Sequence, residues 1–141
     1  MSNTLKLEVV TPERPVLSEQ VSEVQFPTAT EGYYGILPGH TPVMAPVGDG
    51  LLHFVKDGQK HWLTVFGGFA EVGPDHVTIL ARASETADAI DVDRAEAARK
   101  RAADRLAQAK EDLDMDRARA ALQRAMERLE AAKNSGAGRP A

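Results

Sequence analysis

The sequence predicts an α+β chain in which a small antiparallel β-domain precedes a two-helix hairpin. Seven of the eight prolines and nine of the eleven glycines lie before Asp75, and neither residue type occurs between Asp75 and Ser135. Because glycine and proline mark turns and interrupt helices, the first part of the chain must turn repeatedly, whereas the second can continue without a break. The second part is also rich in Ala, Arg, Glu and Leu at helical spacing.

Short apolar runs separated by turn residues predict the strands. Leu5, Leu7 and Val9 alternate with charged residues, which is the period of a half-buried strand. The remaining runs cover residues 21–26, 32–37, 44–47, 51–55, 59–66, 69–72 and 76–80. The dipeptide Asp-Gly, at 49–50 and again at 57–58, is typical of tight hairpins. Many short strands at close spacing favour an antiparallel sandwich or barrel.

Two stripes of small and apolar residues at steps of three and four predict the helical hairpin. The first stripe comprises Ala95, Ala98, Ala102, Leu106, Ala109 and Leu113, and the second comprises Ala118, Leu122, Ala125, Leu129 and Ala132. Asp91 is the expected N-cap of the first helix. Residues 111–114 are the expected turn, with Asp114 or Asp116 capping the second helix. Alanine buries little surface, so the hairpin is expected to fold by docking and to be marginally stable.

Composition and charge exclude several classes of function. The chain has a net charge of −4 and no cysteine, so it has neither disulfides nor thiolate metal sites. Residues 1–88 carry the acidic excess, which makes the β-domain a poor platform for nucleic acid. No run approaches the length of about 18 apolar residues that a membrane-spanning helix needs. We expect a cytoplasmic protein that reaches a membrane only through its partners.

Three motifs stand out along the chain. Gly-Ile-Leu-Pro-Gly-His-Thr-Pro (residues 35–42) is typical of a strand that ends in a Pro-Gly turn, and it lacks the lysine and helix of a phosphate loop. Gly-Gly-Phe-Ala-Glu-Val (residues 67–72) is typical of a bulge between two strands. Ile-Asp-Val-Asp-Arg-Ala (residues 90–95), taken alone, is a linker and a capped helix start.

Arginines repeat with the same spacing on both predicted helices. They are Arg94, Arg101 and Arg105 on the first helix and Arg117, Arg124 and Arg128 on the second. Each arginine by itself is explained by a solvated charged face. Antiparallel packing can nevertheless bring basic side chains of both helices to one edge, where they can bind a polyanion. Both interpretations, a solvated face and a polyanion site, are open on the spacing alone.

The three motifs, in this order and followed by a helical hairpin, resemble the epsilon subunit family of the bacterial F-type ATP synthase. The resemblance extends from Leu5 to about Lys133. It implies a flattened, ten-stranded antiparallel β-sandwich over residues 1–87 that binds the rotor, a regulatory helical hairpin over 88–133 and a disordered tail over 134–141. It also implies a non-catalytic rotor-stalk subunit, held peripherally at the cytoplasmic face of the cell inner membrane.

The resemblance also implies partners and contact residues. The partners are the gamma subunit, the c-ring and the alpha and beta subunits, with no nucleic acid and no membrane contact outside the complex. The rotor and c-ring contacts map onto Glu31, Gly32, Tyr33, Leu37, Pro38, Gly39, His40 and Pro42. Tyr33 occupies a position where many members have a second acidic residue.

Family members that bind ATP hold it against the folded hairpin. By resemblance, the ATP-binding residues are Glu85, Ile90, Asp91, Arg94, Ala95, Arg101, Arg124 and Arg128. ATP is expected as a regulatory ligand, with no catalytic cofactor and no requirement for magnesium. The implied mechanism is a switch: the folded hairpin leaves rotation free, and the extended hairpin enters the catalytic head and blocks hydrolysis.

Two rival classes explain fewer of these features. An enzyme could draw on the histidines, which are His40, His53, His61 and His76. None of them forms a His-x-x-x-His pair, and the sequence has neither a nucleophile elbow nor a Walker loop. The main alternative is a generic adaptor or coiled-coil interaction module without a nucleotide role. Binding to gamma rather than to DNA distinguishes the family from a nucleic-acid binder.

Overall fold

A computed structural model describes residues 3–135 of the chain. Within these residues the strands are β1 (Leu5–Val10), β2 (Pro15–Val21), β3 (Glu23–Pro27), β4 (Tyr33–Ile36), β5 (Val43–Pro46), β6 (Gly50–Lys56), β7 (Gln59–Val72) and β8 (His76–Thr86). A 3-10 turn (Ala87–Ala89) leads to the helices α1 (Val92–Gln108) and α2 (Asp112–Asn134). The predicted α+β class is confirmed. The predicted tail begins inside α2 at Asn134, and from residue 136 onward it lies outside the described residues.

The strands form one continuous sheet with the order β2-β1-β8-β7-β6-β3-β4, and β5 pairs with β7. All neighbouring strands are antiparallel except β1 and β8, which pair in parallel from Lys6↔His76 to Val10↔Leu80. The prediction of a purely antiparallel sheet is wrong at this pair. The first and last strands of the sheet meet here through a long connection, and local turn signals report only hairpins between consecutive strands.

The strand β7 serves both halves of the sandwich. On one side it pairs with β8 in an unchanged register from Leu63 to Val72. On the other side it pairs with β6 as far as Val65 and with β5 from Phe69 onward. The glycine pair at 67–68 is therefore the point where β7 leaves one partner for the next, and its interpretation as a bulge is wrong. Because such a strand is counted once, residues 3–135 contain eight strands rather than the ten that the resemblance implies.

The core of the sandwich is a single cluster of fully buried apolar side chains. It includes Leu5, Leu7, Val9, Val24, Phe26, Leu52, Leu63, Val65, Val77 and Ile79. Leu7 and Ile79 are completely inaccessible to solvent. The alternation predicted for β1 is confirmed, and burial of this many large side chains makes the sandwich a stable base.

Two strands differ from their predictions. The strand β2 was not predicted, because its exposed positions are polar and its apolar residues, Val16 and Leu17, are only half-buried. The strand β8 continues to Thr86 instead of ending at Leu80, since its second half pairs with β7 although it lacks an apolar alternation.

The helices start where short polar segments allow it. The Asp91 carboxylate accepts a hydrogen bond from the Arg94 backbone N–H at 3.0 Å, so the predicted cap of α1 is confirmed. The predicted cap of α2 is wrong, because α2 already begins at Asp112 with Glu111 in the N-cap position. Nothing in this segment breaks a helix, and acidic residues in the first turn favour the positive end of the helix dipole. Leu113, predicted on the first stripe, lies in α2 and is 59% exposed.

The hairpin is held to the sandwich by a small second cluster, hereafter the docking cluster. Its buried members are Ala87, Ile90, Ala95, Ala131 and Ala132, and Leu51, Trp62 and Leu129 are half-buried against them. Along the helix–helix seam, the predicted stripe positions Ala95, Ala102, Ala118, Ala125 and Ala132 are buried, as expected. Most of these side chains are single methyl groups, so the hairpin is fastened by much less apolar area than the sandwich core.

Candidate functional site

A cleft of about 640 Å³ separates the sandwich from the hairpin, hereafter the arginine cleft. The turn between β1 and β2, the strand β8 and both helices form its walls. Its charged residues are Arg14, Arg82, Arg94, Arg101 and Arg128, with Glu13, Glu85 and Asp91. The cleft is lined by more basic than acidic side chains, although the chain as a whole has a net charge of −4.

Six of the eight residues predicted to bind ATP line this cleft. They are Glu85, Asp91, Arg94, Ala95, Arg101 and Arg128. Ile90 does not line it and is buried in the docking cluster below. Arg124 does not line it either; it is exposed on α2, one turn before Arg128. The docked hairpin therefore brings together basic side chains of both helices, as the polyanion interpretation expects.

Arg128 is the side chain that joins the hairpin to the sandwich by charge. Its Nε donates to Glu85 Oε1 at 2.6 Å. The guanidinium also lies over the Phe66 ring, 5.1 Å from the centroid, which is a favourable cation–π distance. Glu85 itself is fixed, because its backbone N–H donates to the Thr64 hydroxyl at 3.1 Å. Arg128 is therefore oriented before any ligand arrives.

The other wall of the cleft is α1. The Asp91 cap sets the first turn, and Arg94 and Arg101 follow seven residues apart. Seven residues are about two helical turns, so both side chains lie on the same face. Within residues 3–135, Arg14, Arg94 and Arg101 have no carboxylate within 4.0 Å. Unpaired guanidinium groups around one cavity are suited to an anion with several oxygens.

A second cleft, of about 510 Å³, lies on another side of α2, where Tyr33 and Leu51 face Met126 and Glu127. Glu127 Oε1 accepts from Gln123 at 3.1 Å, whereas Oε2 is buried and has no hydrogen-bond partner in the described part of the chain. Burial, with a smaller contribution from Asp49, raises the pKa of Glu127. Because the docked state holds this proton more tightly, docking loses stability as the pH rises through the docked-state pKa.

The residues predicted to contact the rotor fall into two separate groups. Glu31, Gly32 and Tyr33 lie in the turn before or at the start of β4, and the Tyr34 hydroxyl donates to Glu31 at 2.8 Å. The second group comprises Leu37, Pro38, Gly39, His40 and Pro42, which follow β4. That turn is tied to the β7–β8 turn, because the Gly39 backbone N–H donates to the Pro74 carbonyl at 2.7 Å. The two groups lie at opposite ends of β4 and do not form one patch.

An exposed apolar face on the sandwich was missed by the sequence analysis. Met44, Phe69 and Leu80 are 66%, 43% and 56% exposed. Phe69 pairs with Pro46 on β5 and with Leu80 on β8, so the side chains occupy one outer face of three strands. The available signal was a run of apolar residues at consecutive positions, which leaves apolar side chains on both faces of a strand.

The four histidines are dispersed. His53 is buried against Trp62 with ring centroids 4.9 Å apart, and burial lowers its pKa. His76 lies between two carboxylates, chiefly that of Asp75, which raise its pKa. His61 stacks on Phe54 at 5.1 Å. Within residues 3–135 no group of three or more His, Asp or Glu side chains is arranged to hold a metal ion.

The fold and the cleft define a class of protein: a two-domain chain in which a stable β-sandwich carries a weakly fastened helical hairpin, with a basic cleft at their boundary. No helix among residues 3–135 has the length and apolar character needed to cross a membrane.

Two family models match consecutive parts of the chain. The ATP synthase delta/epsilon chain beta-sandwich domain matches residues 4–87, and the ATP synthase delta/epsilon chain long alpha-helix domain matches residues 88–133. The chain belongs to the delta/epsilon family of ATP synthase chains, which are non-catalytic subunits of that complex.

Curated relatives and solved structures agree with this membership. The chain is 52% identical to the ATP synthase epsilon chain of Bacillus subtilis (strain 168), over 73% of this chain and 77% of the relative. It is 48% identical to the epsilon chain of Nitratidesulfovibrio vulgaris (strain DP4), over 79% and 82%. A chain in the cryo-EM structure of the Euglena gracilis mitochondrial ATP synthase OSCP/F1/c-ring shares the fold, with a TM-score of 0.67, 22% identity and coverage of 98% of this chain and 82% of that one.

Proposed function

We propose that this chain is the rotor-stalk epsilon subunit of a proton-translocating F-type ATP synthase, and that ATP bound in the arginine cleft controls its inhibition of ATP hydrolysis. The observation that carries the proposal is the composition of the cleft. Its basic walls belong to both the sandwich and the hairpin, so the cleft exists only while the hairpin is docked. A ligand that needs both walls must favour the docked state.

The energies involved make such a switch feasible. A ligand present at 100 times its dissociation constant stabilises the state that binds it by about 2.7 kcal/mol. The docking cluster that opposes release consists mostly of alanines, each of which contributes far less than a leucine. ATP acts here as a regulatory ligand, bound through arginine–phosphate hydrogen bonds. Neither a catalytic cofactor nor magnesium is required.

When ATP leaves, the hairpin extends and α2 enters the catalytic head. Exposed basic side chains such as Arg117 and Arg124 then face acidic groups of the beta subunit and block hydrolysis. In the docked state the same side chains are directed to solvent, and rotation is free.

The sandwich supplies the contacts to the rotor. The exposed apolar face of Met44, Phe69 and Leu80 is suited to gamma, because contiguous apolar surface on a small domain marks a protein interface. The loop at 31–33 faces the c-ring. These contacts hold the chain at the cytoplasmic side of the cell inner membrane, without a membrane segment of its own.

The nucleotide site is tested by calorimetry with the isolated full chain. Arg128→Ala is expected to weaken ATP binding by more than about tenfold, because it removes a charged donor and the ion pair that orients Glu85. Arg124→Ala is expected to have a smaller effect, because Arg124 does not line the cleft. Arg119→Ala, on the same helix but at the second cleft, is the control and should bind ATP like the wild type. An unchanged affinity in Arg128→Ala contradicts the site.

The inhibitory role is tested in the assembled ATP synthase. A chain that ends at Ala87 should still assemble and support ATP synthesis, because the sandwich core and the apolar face lie before that residue. ATP hydrolysis should rise to an uninhibited rate and lose its dependence on ATP preincubation. If hydrolysis by this complex stays as inhibited as with the full chain, the hairpin is not the inhibitor. If the full chain also fails to bind ATP, the adaptor alternative is favoured.

A further inference from the structure

Two arginines of the cleft, Arg14 and Arg82, come from the sandwich and belong to no motif of the family resemblance. Building on the proposed nucleotide function, we infer that Arg14 and Arg82 bind the phosphate chain from the side opposite α1, so that the ligand itself fastens the hairpin to the sandwich. Arg14 lies in the turn between β1 and β2, and Arg82 lies in β8.

The turn that carries Arg14 is closed by its own hydrogen bonds. The Thr11 backbone N–H and the Thr11 hydroxyl both donate to the Arg14 carbonyl at 3.0 Å. In return, the Arg14 backbone N–H donates to the Thr11 hydroxyl at 3.2 Å. A threonine hydroxyl that satisfies the backbone in this way stabilises a tight turn. Arg14 is thus presented to the cleft from a defined position rather than from a loose loop.

Arg82 reaches the cleft across a glycine. A Cβ added to Gly67 would lie 2.7 Å from the Arg82 Cζ, so the guanidinium rests on a backbone that has no side chain. Its only carboxylate within residues 3–135 is that of Asp49, at a distance of 3.8 Å. The Arg82 side chain is 76% exposed, and a surface pair of this kind contributes little. Arg82 is therefore free to exchange Asp49 for a phosphate.

The acidic side chains of the cleft are largely occupied elsewhere. Glu85 is bound by Arg128, and Asp91 accepts from the backbone N–H of Arg94. The positive charge of Arg94 and Arg101 on one wall, and of Arg14 and Arg82 on the other, is left for a ligand. Basic groups on two facing walls are suited to an extended polyanion, and arginine forms paired hydrogen bonds to phosphate oxygens. A triphosphate that contacts both walls binds only to the docked hairpin.

The inference is tested by measuring the affinities of the full chain for ATP, ADP and AMP by calorimetry. Arg14→Gln and Arg82→Gln are each expected to weaken ATP binding by about tenfold, and AMP binding by less than about twofold, since the lost donors contact the later phosphates. Lys6→Gln removes an exposed cation of the sandwich outside the cleft and should leave all affinities unchanged. All three residues are exposed, so the midpoint of thermal unfolding should not change.

Inorganic tripolyphosphate separates the phosphate chain from the nucleoside. It should displace ATP from the wild-type chain, and Arg14→Gln should weaken this competition, whereas adenosine should bind both proteins equally. If the wild-type chain binds ATP but both variants bind it within about twofold of the wild type, or lose AMP and ATP equally, the inference is wrong and the proposed site stands. If the wild-type chain binds no ATP, the proposed function itself fails.

Discussion

Gly68→Ala is expected to destabilise the sandwich by about 3 kcal/mol or more, because two independent effects add at this position. Gly68 has a φ of 118°, which side-chain-bearing residues rarely adopt. An added Cβ would also overlap the Leu80 carbonyl oxygen and lie 2.9 Å from the Ala81 Cα. Both obstacles are backbone atoms of β8, so relief requires the pairing of β7 with β8 to shift. Urea unfolding followed by far-ultraviolet circular dichroism measures the loss.

The neighbouring glycine provides a matched control. Gly67 has a φ of 63°, in the left-handed region that costs an L-residue about 1–2 kcal/mol. The atoms that its Cβ would meet belong to the flexible end of Arg82, which is exposed and can move. Gly67→Ala is therefore expected to lose clearly less stability than Gly68→Ala. Equal losses for the two variants would contradict the claim that the bend of β7 is fixed by close approach of the β8 backbone.

The same glycine pair shows how far local pattern can predict a fold. Its presence between two apolar runs was visible in the sequence, and the runs themselves are strand segments of the structure. What the pattern could not give is the change of partner, because pairing with β6 before Val65 and with β5 after Phe69 is decided by distant parts of the chain. The parallel contact of β1 with β8 escaped prediction for the same reason.

The helical hairpin was predictable where periodicity is strong. The alanine stripe identified the buried face, and Asp91 identified the start of α1, because both signals are local. The start of α2 was predicted too late, since acidic residues at 111–116 suit both a turn and the first turn of a helix. Only the contacts with the sandwich show that Ala131, absent from the predicted stripe, is completely buried.

The arginine cleft was predictable on its hairpin side and hidden on its sandwich side. Arg94, Arg101 and Arg128 repeat at helical spacing, which pointed to a shared edge. Arg14 and Arg82 lie in a turn and a strand without any periodic signal, and only the docked arrangement of the two domains places them opposite α1. Glu127 was equally hidden, because a carboxylate between charged neighbours on a helix has the sequence pattern of a solvated face.

Ala131→Asp is expected to release the hairpin while leaving the sandwich folded. Ala131 is completely buried in the docking cluster, and a carboxylate placed there without a partner costs several kcal/mol. Release of the hairpin removes that cost at the expense of a cluster made mostly of methyl groups. The sandwich has its own separate core, so its unfolding transition should persist. ATP affinity should fall by more than about tenfold, because the cleft loses the wall that the hairpin supplies.

The chain carries its own probe for this release. Trp62 is its single tryptophan and packs, half-buried, against the docking cluster. Undocking exposes the indole to water, so the fluorescence emission of Ala131→Asp should shift to longer wavelength, and saturating ATP should fail to reverse it. Ala120→Asp, an exposed position on the same helix with the same change in helix propensity, should keep the wild-type emission and ATP affinity. A wild-type emission spectrum in Ala131→Asp, or loss of the sandwich transition together with the hairpin, would mean that the two domains do not separate, and a ligand could then not select between their arrangements.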